Sequence, residues 1–160
     1  MMLNKLPPEI TIESALSHLE TATKWGTRNR ALFAMRQSLR IRDISGLLVS
    51  DVLGLDGKIR SCYIADDGQV FFINEHLRAE MHRYLLSRFE LTGKSLQPLL
   101  SQRLDESLFR TQKSKHFSAN TLAQHFSLLD KSIWQRFQTQ KSMRRSSLLQ
   151  RMRKTLMGLQ

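Results

Sequence analysis

The chain has 160 residues and a mass of 18.6 kDa, the size of one domain, and its 41% hydrophobic against 24% charged residues supply a core and exclude global disorder. Its 25 Lys and Arg against 14 Asp and Glu give a net charge of +11 and a pI near 10.5, the balance of a protein whose partner is a polyanion. The lone Cys62 excludes an intramolecular disulfide and, with no signal peptide in view, points to a reducing cytoplasm, while no apolar run approaches the roughly 20 residues of a membrane span.

In chain order, Pro7 and Pro8 set an extended entry, and Thr11 caps a first helix with Ile12, Ala15, Leu16 and Leu19 at helical spacing. Gly26 breaks it. Thr27 caps a second helix with Ala31, Leu32, Met35 and Leu39 inward and Arg28 and Arg30 outward, and a short third runs from about Ile41 to Leu48 with Ile44, Leu47 and Leu48 inward. From Val49 the period becomes strand-like. Ile59, Tyr63 and Ile64 precede an Asp67-Gly68 turn and Val70 to Ile73 follow it, which reads as a small antiparallel sheet.

Glu75 to Phe89 returns to helix with Leu77, Met81, Tyr84 and Leu85 as its buried stripe, and Leu91 to Gln102 reads as loop, broken by Gly93 and Pro98. Ser118 caps a helix bearing Leu122, Phe126 and Leu129, and a separate last helix spans about Ser142 to Leu156. Met143, Met152 and Met157 are expected to pack that last helix, and Cys62 to be a small core residue. The result is one domain over residues 1–160, of the α+β class and mostly α-helical. The scattered His18, His76, His82, His116 and His125 have no metal-ligand spacing, so neither a metal nor another cofactor is expected.

The charge is unevenly placed. Residues 1–109 hold 14 basic and 13 acidic side chains, whereas residues 110–160 hold 11 basic side chains and a single acid, Asp130. Phe117, Phe126, Trp134 and Phe137 are interleaved with the basic residues, which argues for a folded basic face over a disordered tail. Nucleic acid is the expected partner; a membrane is not, because a membrane-surface helix needs a sustained apolar face and these basic residues also occupy the segment Arg110 to Lys115.

The stretch Gly26-Thr-Arg-Asn-Arg-Ala-Leu-Phe-Ala-Met-Arg-Gln-Ser-Leu-Arg-Ile-Arg-Asp-Ile-Ser-Gly-Leu-Leu-Val-Ser-Asp-Val52 resembles the opening of the catalytic domain of the tyrosine recombinases, the phage integrase family. The small sheet, the helix around Leu77 to Tyr84, Leu108-Phe-Arg-Thr-Gln-Lys113 and the Ser118 to Leu129 helix follow in that family's order, and Lys141-Ser-Met-Arg-Arg145 is similar to its second phosphate-binding box. The resemblance covers about the whole chain and implies a tyrosine-recombinase-like fold with a small antiparallel sheet. It implies that Arg40, followed by the acidic Asp43, and Arg144 are the two arginines that clamp a phosphate. Two guanidiniums suit a phosphodiester because their forked donors bind its oxygens in pairs.

Against the family pattern, Lys141 stands where the box has histidine, the turn Ala65-Asp-Asp-Gly68 lacks the general-acid lysine, and Gln160 ends the chain before the nucleophilic tyrosine would come. Tyr63 and Tyr84 read as structural. The expectation is a DNA-binding protein that does not cut, contacting phosphates of double-stranded DNA through Arg40, Arg42, Arg110, Lys113, Lys115, Lys141, Arg144 and Arg145. By analogy with the family it would regulate transcription on a plasmid, phage or other mobile element, as a homodimer or beside the transcription machinery. The alternatives are a modulator or subunit of a recombination complex that pairs with another recombinase, and a minimal recombinase. Arg40 has a second reading as the ion-pair partner of Asp43 or another carboxylate.

Overall fold

A computed structural model describes residues 7–158. Helix α1 (Ile12–Ala22) starts where Thr11 accepts the Ser14 N–H, and it buries Ala15, Leu16 and Leu19 as the spacing predicts. Helix α2 (Gly26–Arg36) follows directly, opening at Gly26, one residue before Thr27, with no side-chain cap. Glycine is required there by proximity, since a Cβ would lie 1.9 Å from the carbonyl oxygen of Glu20.

Helix α2 is the central rod of the fold. It packs against α1 on one side and α5 (Glu75–Arg88) on the other, and its Ala31, Leu32, Phe33, Ala34 and Met35 are all buried. Enclosure on several sides overturns the expected outward placement of Arg28 and Arg30, both of which are buried. Arg30 donates from Nε and Nη2 to the Glu80 carboxylate at 2.9 and 2.7 Å and from Nη1 to Glu20 at 3.1 Å, tying three helices through one guanidinium. Arg36 does the same toward the C-terminal helix, meeting Asp130 at 2.7 and 3.1 Å over the faces of Phe33 and Phe126.

The short helix α3 (Ile41–Gly46) ends earlier than expected and leaves Leu48 exposed. The strand-like reading from Val49 is corrected by a one-turn helix α4 (Val49–Val52), entered where the Asp51 carboxylate accepts the Leu48 N–H at 2.8 Å. Strands β1 (Cys62–Ile64) and β2 (Val70–Phe72) pair antiparallel in the register Cys62 to Phe72, Tyr63 to Phe71 and Ile64 to Val70. Their turn needs Gly68, whose φ is +84°. The alternation turns Tyr63 and Phe71 toward the core, while Ile64, Val70 and Phe72 are exposed and Cys62 is half-buried instead of a core residue.

Asn74 caps α5 by accepting the Leu77 N–H, and Tyr84 on that helix donates to the Leu108 carbonyl at 2.7 Å and stacks on Phe109. A 3-10 turn at Gln97–Leu100 interrupts the expected loop and buries Leu99. The two expected C-terminal helices are one helix, α6 (Ala119–Gly158), of 40 residues. No glycine or proline interrupts it before Gly158, so nothing in the backbone stops it. Only its first part packs: Leu122, Phe126, Leu129 and Ile133 are buried, Phe137 is half-buried, and residues 138–158 are exposed throughout. Met143, Met152 and Met157 therefore lie outside the core, contrary to expectation.

Candidate nucleic-acid interface

Arg40 stands at the N-terminus of α3, where an extended backbone turns its side chain toward the hairpin. Its Nε and Nη2 donate to Asp43 at 2.5 and 3.2 Å, and its Nη1 and Nη2 donate to Asp67, in the hairpin turn, at 3.0 and 3.3 Å. Arg42 reaches the same Asp67 carboxylate at 2.9 Å, and the Arg40 guanidinium lies over the Phe71 ring. The Arg40 to Asp43 pair thus forms as the second reading had it, and Asp67 joins it from the far side.

Arg40, Arg42, Asp43, Asp66 and Asp67 enclose a cleft of about 300 Å³. The carboxylate of Asp43, then that of Asp67, raises the Arg40 pKa above its ordinary value. In return the Arg40 hydrogen bond, helped by the Gln69 N–H, holds Asp67 down at about 2. Two guanidiniums face two carboxylates here, with Asp66 adjoining. Carboxylate and phosphate compete for the same planar fork of donors, so an incoming phosphate has to displace Asp67.

A second set of cations lies on the segment before α6. Arg110, Lys113 and Lys115 are exposed, and Thr111 Oγ1 accepts the N–H groups of Lys113 and Ser114 at 3.1 and 2.7 Å, which fixes the turn that carries them. The Arg110 carbonyl accepts Nη1 of the buried Arg28 at 3.1 Å, so this segment is anchored to α2.

The third set lies on α6. Lys141 sits over the Phe137 ring and shares a small cleft with Arg144, Phe137, Gln140 and Glu9, while Arg144 also borders a cleft with Met143, Leu148 and Arg151; Arg145 is exposed. Arg40 and Arg144 border separate clefts. Helix α3 packs on α6, whose last fully buried residue is Ile133, and Arg144 lies roughly 16 Å further along the helix axis. Asp130 is bound by Arg36, so the part of α6 beyond it carries cations alone.

Of the two tyrosines, Tyr84 is buried and Tyr63 is half-buried in the hairpin. Burial, followed by the charges of Asp51, Asp43 and Asp66, raises the Tyr63 hydroxyl, and burial pushes Tyr84 up to about 12. The pairing of Asp67 with Arg40 is absent from the sequence reading, which uses the turn to place the hairpin and for its missing lysine; its legible signal is two consecutive acids in a turn and two arginines, Arg40 and Arg42, upstream. Among the described residues no three His, Cys, Asp or Glu side chains gather as metal ligands, and no helix is long and apolar enough to cross a membrane.

No protein family and no curated protein matches the chain by sequence. Its structure is similar to the crystal structure of XerA recombinase, with a TM-score of 0.51 and 18% identity over 81% of this chain and 45% of that one. The chain spans less than half the length of that recombinase, and what the two share is the fold: mostly helical, with a small antiparallel hairpin, like a recombinase catalytic domain.

Proposed function

We propose that this protein binds double-stranded DNA on a recombinase-like scaffold without cleaving it, and acts as a regulator of a mobile genetic element. The observation that carries the reading is the distribution of charge on the surface. Residues 110–160 hold 11 cations, and their single acid, Asp130, is bound by Arg36, so the exposed part of α6 and the Arg110 to Lys115 segment present cations that make no ion pair among the described residues. Such a surface attracts the phosphate backbone and releases its counterions.

The reading without cleavage rests on side chains. Lys141 stands where the box has histidine, the hairpin carries Asp66 and Asp67 where a general-acid lysine would stand, and both tyrosine hydroxyls are raised by burial. The test is a gel-shift series on duplex fragments run beside a denaturing gel for covalent adducts. Retarded duplex with no protein-linked strand supports the reading; a covalent adduct replaces it with the minimal recombinase.

Exposed Leu148, Leu149, Met152 and Leu156 on α6 favour a second reading, a modulator that binds another recombinase through this helix. Co-purification with an intact recombinase in the absence of DNA distinguishes it.

A further inference from the structure

Three arginines of α2 are buried to the same depth: Arg28 is 7% exposed, Arg30 8% and Arg36 7%. Arg30 has Glu80 and Arg36 has Asp130, whereas Arg28 has no carboxylate partner among the described residues. Its Nε and Nη2 donate to Asn29 Oδ1 at 3.2 and 3.0 Å and its Nη1 to the Arg110 carbonyl, and the guanidinium lies 4.6 and 5.4 Å from the centroids of the Trp25 and Phe117 rings. With His125 Nε2 at 3.5 Å from Nη2, these contacts use at most four of the five guanidinium N–H groups. Neutral acceptors and ring faces orient the group but bring no opposite charge, and a buried cation without one is costly.

Arg28 also lines a cleft of about 640 Å³ between α2, the segment 111–118 and the first turns of α6. Lys113 and His116 border it with the Ser114 hydroxyl, Phe117 and Leu128 supply an apolar wall, and no acidic side chain lines it. His125 closes one side, its Nε2 2.9 Å from Asn29 Oδ1. A buried guanidinium, an exposed ammonium and hydroxyl donors around one cavity exceed what a single carboxylate needs and match the several oxygens and higher charge of a phosphate.

We infer that this cleft is an anion site that takes one phosphate group, with Arg28 as the buried charge and Lys113 at the mouth. It is separate from the Arg40 cluster and shares only Lys113 with the cations assigned to duplex DNA. The phosphate can be that of a free phosphorylated molecule, whose remainder would lie on Phe117 and Leu128, or one from a nucleic-acid backbone.

The test follows the His125 ring signals of the full chain by NMR. Burial, then Arg28, holds this imidazole at about 4, and a phosphate beside it favours the protonated form. Inorganic phosphate is expected to move the His125 signals saturably and raise their titration midpoint. Arg28→Gln is expected to abolish the response; should that variant fail to fold, Lys113→Gln, on the exposed segment, is expected to weaken phosphate binding about tenfold. A short duplex that moves the same signals in competition with phosphate identifies the backbone as source, and phosphate alone acting identifies a free phosphorylated molecule. His125 signals indifferent to both, in a folded protein, overturn the inference.

Discussion

The Arg40 guanidinium and the Asp67 carboxylate, 27 positions apart in the chain, are joined by two hydrogen bonds of 3.0 and 3.3 Å that close the cleft at the start of α3. The hairpin thus places an acid on the arginine that the duplex reading assigns to a phosphate. Asp67→Asn keeps the shape and removes the charge. It is expected to raise affinity for duplex DNA roughly two- to fivefold, the worth of one exposed ion pair, in a fluorescence anisotropy titration at low salt. Unchanged affinity in the folded variant would mean that Arg40 does not meet the phosphate.

Stability is concentrated elsewhere, where Arg30 and Glu80 bury a two-bond ion pair between α2 and α5. The Arg30 hydrogen bond holds Glu80 below the usual carboxylate range. Glu80→Gln removes the closest counter-charge and leaves Arg30 to Glu20, which costs about 2 kcal/mol. Urea unfolding should show that loss, with duplex affinity unchanged once the variant is kept cold enough to stay folded.

Much of this architecture was legible in the residues. Thr11 announces its helix because a short oxygen side chain before an apolar stripe has one local use, and the hairpin follows from strand-like residues on both sides of the Asp67-Gly68 turn. Arg28 and Arg30 were misplaced outward for a physical reason: an arginine is polar by composition, and the partner that permits Arg30 to be buried, Glu80, lies 50 positions away. The same holds for Asp67 and Arg40. Helix α6 reads as two because Gln138 to Lys141, just before Ser142, are all polar, although Ile133 and Phe137 continue the apolar spacing of Phe126 and Leu129.

That unpacked length makes a prediction of its own. Residues 138–158, about 30 Å of helix, are exposed throughout, and an isolated helix of that size is marginal in water. Six cations, from Lys141 to Lys154, repel one another along its surface. Adding duplex DNA at low salt is expected to increase the helical circular dichroism of the protein and to protect the peptide bonds after Arg144 and Arg151 from trypsin. Equal cleavage with and without duplex would remove this segment from the interface.

Acid should weaken the fold in a defined window. The folded state holds His125 at about 4 against an ordinary 6.5, so between these values the unfolded chain binds a proton that the folded one refuses. Stability therefore rises with pH from about 4 to 6.5 and is level above. His18, lowered by burial and Arg136, contributes in the same direction, and the depressed Asp67 adds a loss only near pH 2 to 4. Thermal melts at pH 7 and pH 5 should differ more in the native protein than in His125→Gln, and an equal difference in both would place the pH dependence elsewhere.

The most direct test of the account is the salt dependence of binding to a duplex of random sequence. Eight cations are assigned to phosphates: Arg40, Arg42, Arg110, Lys113, Lys115, Lys141, Arg144 and Arg145. With most of them engaged, the logarithm of affinity is expected to fall against the logarithm of salt with a slope of about −5 to −7, and Arg144→Ala should make that slope shallower by about 0.9. A slope near zero, or no binding even at the lowest salt, would contradict the claim that this surface is a DNA face.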